Sequence, residues 1–454
     1  MFRFIRRHKF LSLFSLLAIA FAILAAFRWN VWFYNPEEVP YKVEDKPQWV
    51  LLTFGNGSEN SRYVSWICGE DPKESKVDLV NENTDDTTVV WAAGEAFHSR
   101  SGKAAYYMAR LNELEENTRY RYRVTTENQS SPWYEFKTYP YGRDYFKFLF
   151  IGDVQDTING QANNIIKEAF RRNHDAEFLV CGGDLTERPA YQHWQQTFRG
   201  IDSICQNIPL LNVAGNHDYL KGVIMKLEMR FPLIFSYFLD SKVDDNMVYT
   251  MTYGNTQFFL LDSTREFFYL WTQREWLKDK LAQSNAKWKI LVIHHPLYSI
   301  RGNNLIQKWM FNGLIQDYNI DLVLQGHEHA YARRTMKNED GTPTTPVYTI
   351  SHCSPKNYLI EFDDEFDKFG ISSRYYQTIS LSSDTLTLAT YEVYNNTLYD
   401  SLSIIKSDNA PVHIEDYGKN IKEYMEYTPV PNSSKSQRFY KRIQDYKQHH
   451  PERF

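Results

Sequence analysis

The sequence predicts two folds in tandem: an all-β sandwich over residues 36–140, then a layered α/β domain over residues 141–410. Three observations carry this reading. Short alternating strands separated by Asn, Gly and Ser clusters fill the first stretch. Apolar strands alternating with helical stretches fill the second. Five blocks of polar, metal-ligating residues each stand just after one of those apolar strands.

Ahead of the sandwich, residues 1–35 differ in kind. Arg3, Arg6, Arg7 and Lys9 precede a run from Phe10 to Phe27 that carries no charge. At about 1.5 Å rise per residue the run spans about 27 Å, close to the hydrocarbon thickness of a bilayer. Trp29, Trp32, Phe33 and Tyr34 follow, as an interfacial aromatic belt would. The preferred reading is a signal anchor. The alternative is a cleaved signal peptide, for which Ala20-Phe21-Ala22 and Ala25-Ala26 offer small-residue sites. Either reading places the remainder of the chain outside the cytoplasm, membrane-anchored or secreted.

In the sandwich, strands are expected at 49–54, 63–67 and 104–111. The stretch ending Thr118-Arg119-Tyr120-Arg121-Tyr122 reads as a tyrosine corner leading into a further strand. In the α/β domain, strands are expected at 146–152, 177–183, 209–214, 290–293 and 321–325, with helices at 161–172, 190–205, 272–284 and 304–318. Segments 258–262, 347–351 and 376–394 would widen the sheet. Residues 411–454 read as a polar tail, partly helical and either packed on the surface or mobile.

Composition narrows the function classes. In 454 residues, 43% are hydrophobic and 16% aromatic, which excludes a disordered chain. A net charge of -5 gives no basic field, so no nucleic-acid partner is expected. Cys68, Cys181, Cys205 and Cys353 form no Cys-x-x-Cys pair, which excludes a zinc ribbon; one disulfide or buried free thiols both fit.

The five blocks are Gly152-Asp153-Val154-Gln155, Gly183-Asp184, Gly215-Asn216-His217-Asp218, His294-His295-Pro296 and Gly326-His327-Glu328-His329. Taken singly, each is more often a turn or a polar loop than a ligand set. Together, and at successive strand ends, they offer carboxylate, amide oxygen and imidazole to one place, where loops at the carboxyl ends of strands converge. Two cations about 3.5–4 Å apart need a bridging carboxylate, and Asp184 is the natural bridge.

In these residues the chain resembles the calcineurin-like metallophosphoesterase superfamily, and within it the purple acid phosphatase-like group. Ser65-Trp66, Trp133-Tyr134-Glu135-Phe136 and Ala330-Tyr331 add smaller matches, and the resemblance extends over residues 45–400. It implies a layered metallophosphoesterase sandwich, with sheets flanked by helices, behind a fibronectin type III-like or Ig-like domain. It also implies hydrolysis of a small-molecule phosphate ester, a phosphomonoester first. A phosphodiesterase with the same site, or a non-catalytic surface binding module, is the alternative.

By that resemblance one metal is held by Asp153, Asp184 and His329, and the other by Asp184, Asn216, His294 and His327. His217, backed by Asp218, would sit beside the leaving group. The fourth block leaves a choice: Val292 would select His295 as ligand, while the following Pro and Tyr select His294. His294 is preferred, with His295 facing the substrate.

Two positions depart from the group. The Tyr whose phenolate colours purple enzymes is replaced by Glu187, and the His common two residues after the first Asp is Gln155. The first metal then takes the Gln155 amide oxygen, the preferred reading, or the Glu187 carboxylate or water. The expected cofactor is two divalent or mixed-valence transition-metal ions (Fe, Mn or Zn), in a protein that is not purple. Arg301 reads first as a solvated loop residue and second as a candidate for steering phosphate, and Arg188 leaves the same choice.

Overall fold

In the computed structural model, residues 9–55, 57–237, 248–302, 304–408 and 410–454 are described. The basic flank Arg3, Arg6 and Arg7 lies outside them. The apolar run becomes one helix, α1 (Lys9–Trp32). Its stretch Leu13–Asn30 has a mean hydropathy of 1.8, with none of it buried against the protein.

Two sheets form the sandwich. One runs β1 (Gln48–Phe54), β2 (Arg62–Ile67), β6 (Lys103–Leu111) and β5 (Ala93–His98). The other runs β4 (Asp86–Trp91), β3 (Ser75–Asn81), β7 (Arg119–Thr126) and β8 (Gln129–Ser130), with β9 (Tyr134–Lys137) also on β7. Alternate residues point inward, and Trp66 and Tyr107 stack at 5.4 Å within a core of their own. The Tyr120 hydroxyl accepts the Glu115 backbone N–H at 2.8 Å, which secures the corner before β7.

The α/β half has two seven-stranded sheets. The first is ordered β12 (Leu210–Asn212), β11 (Leu179–Cys181), β10 (Phe146–Ile151), β22 (Tyr375–Leu381), β23 (Thr385–Glu392), β24 (Leu398–Ile405) and β25 (His413–Asp416). Strands β10, β11 and β12 are mutually parallel, and β22 closes antiparallel on β10, pairing Phe146 with Leu381. The second is ordered β15 (Tyr249–Tyr253), β16 (Thr256–Leu261), β17 (Trp288–Ile293), β18 (Leu322–Gln325), β20 (Pro343–Ile350), β19 (Tyr331–Lys337) and β21 (Lys368–Gly370). Here β16, β17, β18 and β20 are parallel.

Both sheets contribute to one continuous apolar core, in which Phe148 and Phe178 of the first lie 5.4 and 5.7 Å from Phe258 of the second. Near-continuous burial along β10, β17 and β18 is what a sheet covered on both faces requires. The helices are α2 (Ala162–Arg171), α3 (Tyr191–Ile201), α4 (Arg230–Phe235), α5 (Phe267–Gln283) and α6 (Leu305–Asp317). A short ribbon, β13 (Tyr219–Leu220) with β14 (Lys226–Leu227), follows the third block.

Residues 411–454, read from the sequence as a partly helical tail either packed on the surface or mobile, are packed. They supply the edge strand β25 and the helix α7 (Ser434–His449), whose Phe439, Ile443 and Tyr446 are buried against Ile360, Phe366 and Phe369. The i, i+4, i+7 spacing of those three makes an apolar stripe that overall polarity hid. Residues 36–44, expected at the head of the sandwich, reach across to the α/β half. Glu38 forms a fully buried ion pair with Arg230 at 2.5 Å and accepts the Tyr191 N–H at 2.8 Å. Tyr41 stacks on Tyr191 at 4.0 Å. The chain leaving α1 is therefore fastened to the α/β half. All four cysteines are free and buried.

Candidate metal centre

The five blocks follow β10, β11, β12, β17 and β18, three parallel strands of one sheet and two of the other. Their carboxyl ends face a common place. Donor atoms of Asp153, Asp184 and His294 lie within 4.8 Å of one another, all three side chains buried. The Asn216 Oδ1 accepts from His327 Nδ1 at 2.8 Å and lies 3.2 Å from His294 Nε2. His294 Nε2 is also 3.4 Å from Asp184 Oδ2, while its Nδ1–H donates to the Gly182 carbonyl at 2.8 Å. That second bond fixes the tautomer and leaves Nε2 as the inward donor atom. His329 Nε2 stands 3.7 Å from Asp153 Oδ1.

The backbone is strained here. Asp153, Asp184, His327 and His329 all adopt φ between +47° and +74°. This left-handed region is costly for residues with a Cβ and persists where the surroundings enforce it. Gly183, at φ +92°, also passes so close to His294 that a Cβ would lie 2.7 Å from Nδ1. Close approach of loop to loop lets six polar side chains share so small a volume.

Electrostatics match a cation-binding purpose. Both carboxylate oxygens of Asp153 are buried without a hydrogen-bond partner, as is the Nδ1 of His329. Burial pushes the Asp153 carboxyl well above its usual range, with the neighbouring Asp184 charge adding to it. Asp184 goes the other way: burial opposes its ionisation, but His294 and His217 hold it below the usual range. Burial alone would lower His294, yet the facing Asp184 carboxylate lifts it to about 9. His329 is pushed down to about 3 by burial. Buried polar atoms left without a hydrogen-bond partner, as on Asp153 and His329, are costly on their own, and a cation would relieve them.

The remaining predicted residues fall as follows. Gln155 is in the cluster, its Nε2 2.7 Å from His329 Nε2 and 3.2 Å from Asp184 Oδ2, its Oε1 3.4 Å from Lys356 Nζ. A half-turn of that amide exchanges the two ends. The Glu187 carboxylate is ion-paired with Lys356. His295 turns away from Asp184: its Nδ1 lies 2.9 Å from Ser263 Oγ, its ring packs 4.2 Å from His327, and burial lowers it to about 3.

His217 donates its backbone N–H to Asp184 Oδ1 at 2.8 Å, and its ring Nδ1 meets the Glu187 carbonyl at 2.7 Å. Asp218 does not back His217, a correction to the sequence expectation. Its carboxylate folds onto the Gly215 N–H at 2.8 Å and caps the short turn 216–218 instead. Glu328 points away from the cluster, accepting from Ser299 Oγ and from the Ile300 N–H at 2.6 Å, so it shapes the loop after His295. Arg188 lines the neighbouring cleft, and Arg301 stacks 3.6 Å over Tyr358, whose ring lies 4.2 Å from His329.

Lys356, Tyr358 and Ser263 were not singled out in the sequence. They come from loops with no metal-ligand pattern, and only the folded chain brings them to the blocks.

Residues 146–331 match the Calcineurin-like phosphoesterase family, and residues 47–138 match the Purple acid Phosphatase, N-terminal domain family. The chain is 22% identical over 308 residues to the Fe(3+)-Zn(2+) purple acid phosphatase 12 of Arabidopsis thaliana, covering 64% of this chain and 65% of that one. It is 23% identical over 321 residues to the phosphoenolpyruvate phosphatase of Allium cepa, covering 64% of each. It therefore spans a little under two thirds of these relatives. Among solved structures, the purple acid phosphatase PPD1 from yellow lupin (Lupinus luteus) seeds superposes with a TM-score of 0.69 at 18% identity, over 80% of this chain and 75% of that one. PhoD superposes at 0.59 and 13% identity, over 91% and 99%. These superpositions show the mixed α/β fold behind an all-β domain.

Proposed function

We propose that this chain, which carries a calcineurin-like phosphoesterase domain behind a purple acid phosphatase N-terminal domain, hydrolyses phosphate monoesters outside the cytoplasm. The observation that carries the proposal is the convergence of Asp153, Asp184, Asn216, His294, His327 and His329 from five strand ends, with both Asp153 carboxylate oxygens left without a hydrogen-bond partner. One cation would be held by Asp153, Asp184 and His329 with Gln155 beside them, the other by Asp184, Asn216, His294 and His327. When bound, such a pair supplies Lewis-acid polarisation of the phosphoryl oxygens and a nucleophile at neutral pH.

The chain's own groups do the rest. His217, its Nδ1 held by the Glu187 carbonyl, lines the cleft, where its ring would stand beside the departing oxygen as a proton donor. Lys356 neutralises Glu187 beside the site, so that a phosphate dianion meets no uncompensated carboxylate there. Phosphatase names among the relatives favour the monoester. With Glu187 where a purple enzyme has Tyr, and that carboxylate engaged by Lys356, two divalent ions in a colourless protein are the expected cofactor.

The test is turnover of nitrophenyl phosphate and bis-nitrophenyl phosphate, alongside metal content, for the wild type, Asp184→Ala and Asn216→Ala. Monoester turnover that both variants lose together with bound metal supports the proposal. Turnover that survives either change, or a wild type that holds no transition metal, refutes it.

A further inference from the structure

The candidate site adjoins a cleft of about 690 Å³ that runs from Asn216 and His217 to Trp32 and Tyr34, where α1 ends. Ile158, Leu220 and Met225 are among the residues that line it, beside polar ones such as Arg100, Gln192 and His193. Such apolar lining beside a phosphate site suits an ester that carries a hydrocarbon group.

The cleft's position relative to α1 is fixed by hydrogen bonds. Asn35 exchanges two bonds of 2.8 Å with the backbone of Lys221, through its Nδ2 to the carbonyl and its Oδ1 from the N–H. Lys221 is the first residue of the turn joining β13 to β14. The turn reads Lys221-Gly222-Val223-Ile224-Met225, with Lys226 opening β14, and its tip is among the barest apolar surface on the described chain: Val223 is 91% exposed and Ile224 70%. Two or three residues at about 3.3 Å each put that tip within about 10 Å of Lys221, whose Nζ lies 3.5 Å from the Asn30 carbonyl of α1. An apolar tip bracketed by lysines suits a bilayer surface, with the side chains among acyl chains and the ammonium groups among lipid phosphates.

The other sheet supplies a second bare apolar surface next to the site. His295 is held by Ser263, whose carbonyl accepts from Gln307 of α6 at 3.2 Å. The first turns of α5 and α6, flanking that link, expose Phe268 at 80%, Leu305 at 64% and Trp309 at 64%. Patches of this kind beside a site mark a surface with a partner.

We infer that the substrate of this site is the phosphomonoester headgroup of a membrane lipid, hydrolysed at the surface of the bilayer that α1 enters, with the Val223–Ile224 tip seated in the same surface. The inference rests on the phosphatase reading above and names its substrate class. Because residues 36–44 are packed on the α/β half, α1 is no loose tether, and the cleft mouth stays at the level of the headgroups.

The test uses the full chain, metal-loaded and reconstituted in phosphatidylcholine vesicles containing phosphatidic acid. Release of inorganic phosphate from phosphatidic acid is compared with turnover of nitrophenyl phosphate, for the wild type and the double variant Val223→Glu, Ile224→Glu. The expected result is a drop of about tenfold or more on the vesicle lipid with nitrophenyl phosphate turnover held within about twofold. A second readout needs no turnover. The native cysteines are all buried, so a Val223→Cys variant takes an environment-sensitive fluorophore at the tip. Spin-labelled lipid should quench it, and should not quench the same label at Asp340→Cys, in an exposed hairpin turn.

Turnover of nitrophenyl phosphate without turnover of phosphatidic acid overturns the inference and leaves the phosphatase reading standing. Loss of both in the wild type defeats the phosphatase reading itself. An unquenched tip label with unchanged lipid turnover in the double variant also overturns the inference, and assigns the bare surface to a protein partner.

Discussion

Replacing Gly215 with Ala tests whether loop-to-loop contact sets the metal site. Gly215 has φ -103° and ψ 177°, extended backbone that alanine adopts freely, so the substitution carries no conformational penalty. Its added Cβ would instead lie 2.1 Å from Asp184 Oδ1, 2.5 Å from the Asp184 backbone nitrogen and 2.7 Å from Cγ. Ordinary contact begins near 3.4 Å, so Asp184 must retreat by about 3.4 - 2.1 = 1.3 Å. Side-chain rotation alone does not relieve the clash, since the backbone nitrogen is also too close. The movement carries His217 with it through the 2.8 Å bond to Oδ1. Overpacking of this kind costs about 1–3 kcal/mol of stability. A displacement of about 1 Å at a reacting centre costs about 100-fold in rate. The assay is kcat for nitrophenyl phosphate, with metal content and thermal melting measured on the same preparation. A folded Gly215→Ala protein with wild-type metal content and kcat within about threefold would refute the geometric argument.

Two further outcomes follow from sites away from the metals. Burial pushes the Glu423 carboxyl up to about 7 from an ordinary 4.5. Its stabilising contribution is then complete below pH 4.5 and lost as pH rises through 7, by up to about 3 kcal/mol. Glu423→Gln keeps an acceptor for the Phe369 N–H, bonded at 3.1 Å in the wild type, and removes the titration. Urea midpoints at pH 5 and pH 8 should therefore differ less in the variant than in the wild type, and an unchanged difference counts against the assignment. Gly313 lies inside α6 with nothing within 4 Å of an added Cβ. Gly313→Ala should raise stability by about 0.5–1 kcal/mol with no change in kcat, as read by a melting curve and a nitrophenyl phosphate assay.

Most of the strands that precede the blocks were legible because each is an apolar run closed by a Gly-containing block, as at Ile151-Gly152-Asp153 and Gln325-Gly326-His327, though the block after β17 has no Gly. Helix α5 was expected from residue 272 and starts at Phe267, because its first turn is aromatic and exposed and lacks a capping side chain. The choice between His294 and His295 could not be made from pattern alone. Adjacent residues at the end of β17 point in opposite directions, and the Gly182 carbonyl and Ser263 hydroxyl that receive them lie far off in sequence. The same holds for Asp218, Glu328 and Lys356, whose partners are set by loop packing rather than spacing. In the polar tail α7 was legible only as a partly helical stretch, because three buried apolar side chains in sixteen residues leave the average composition hydrophilic.

The pairing of Phe146 with Leu381 has a consequence for how the protein is made. Strands β10, β11 and β12 carry Asp153, Asp184 and Asn216, yet β10 finds its second neighbour only when β22 has been synthesised. Contacts this remote in sequence form late and slowly. The ligand loops therefore stay unassembled while most of the chain is being delivered, and their full affinity for cations arrives with the last strands. Any cations these residues hold would then be drawn from the supply in the compartment where folding finishes, not from the supply where translation begins.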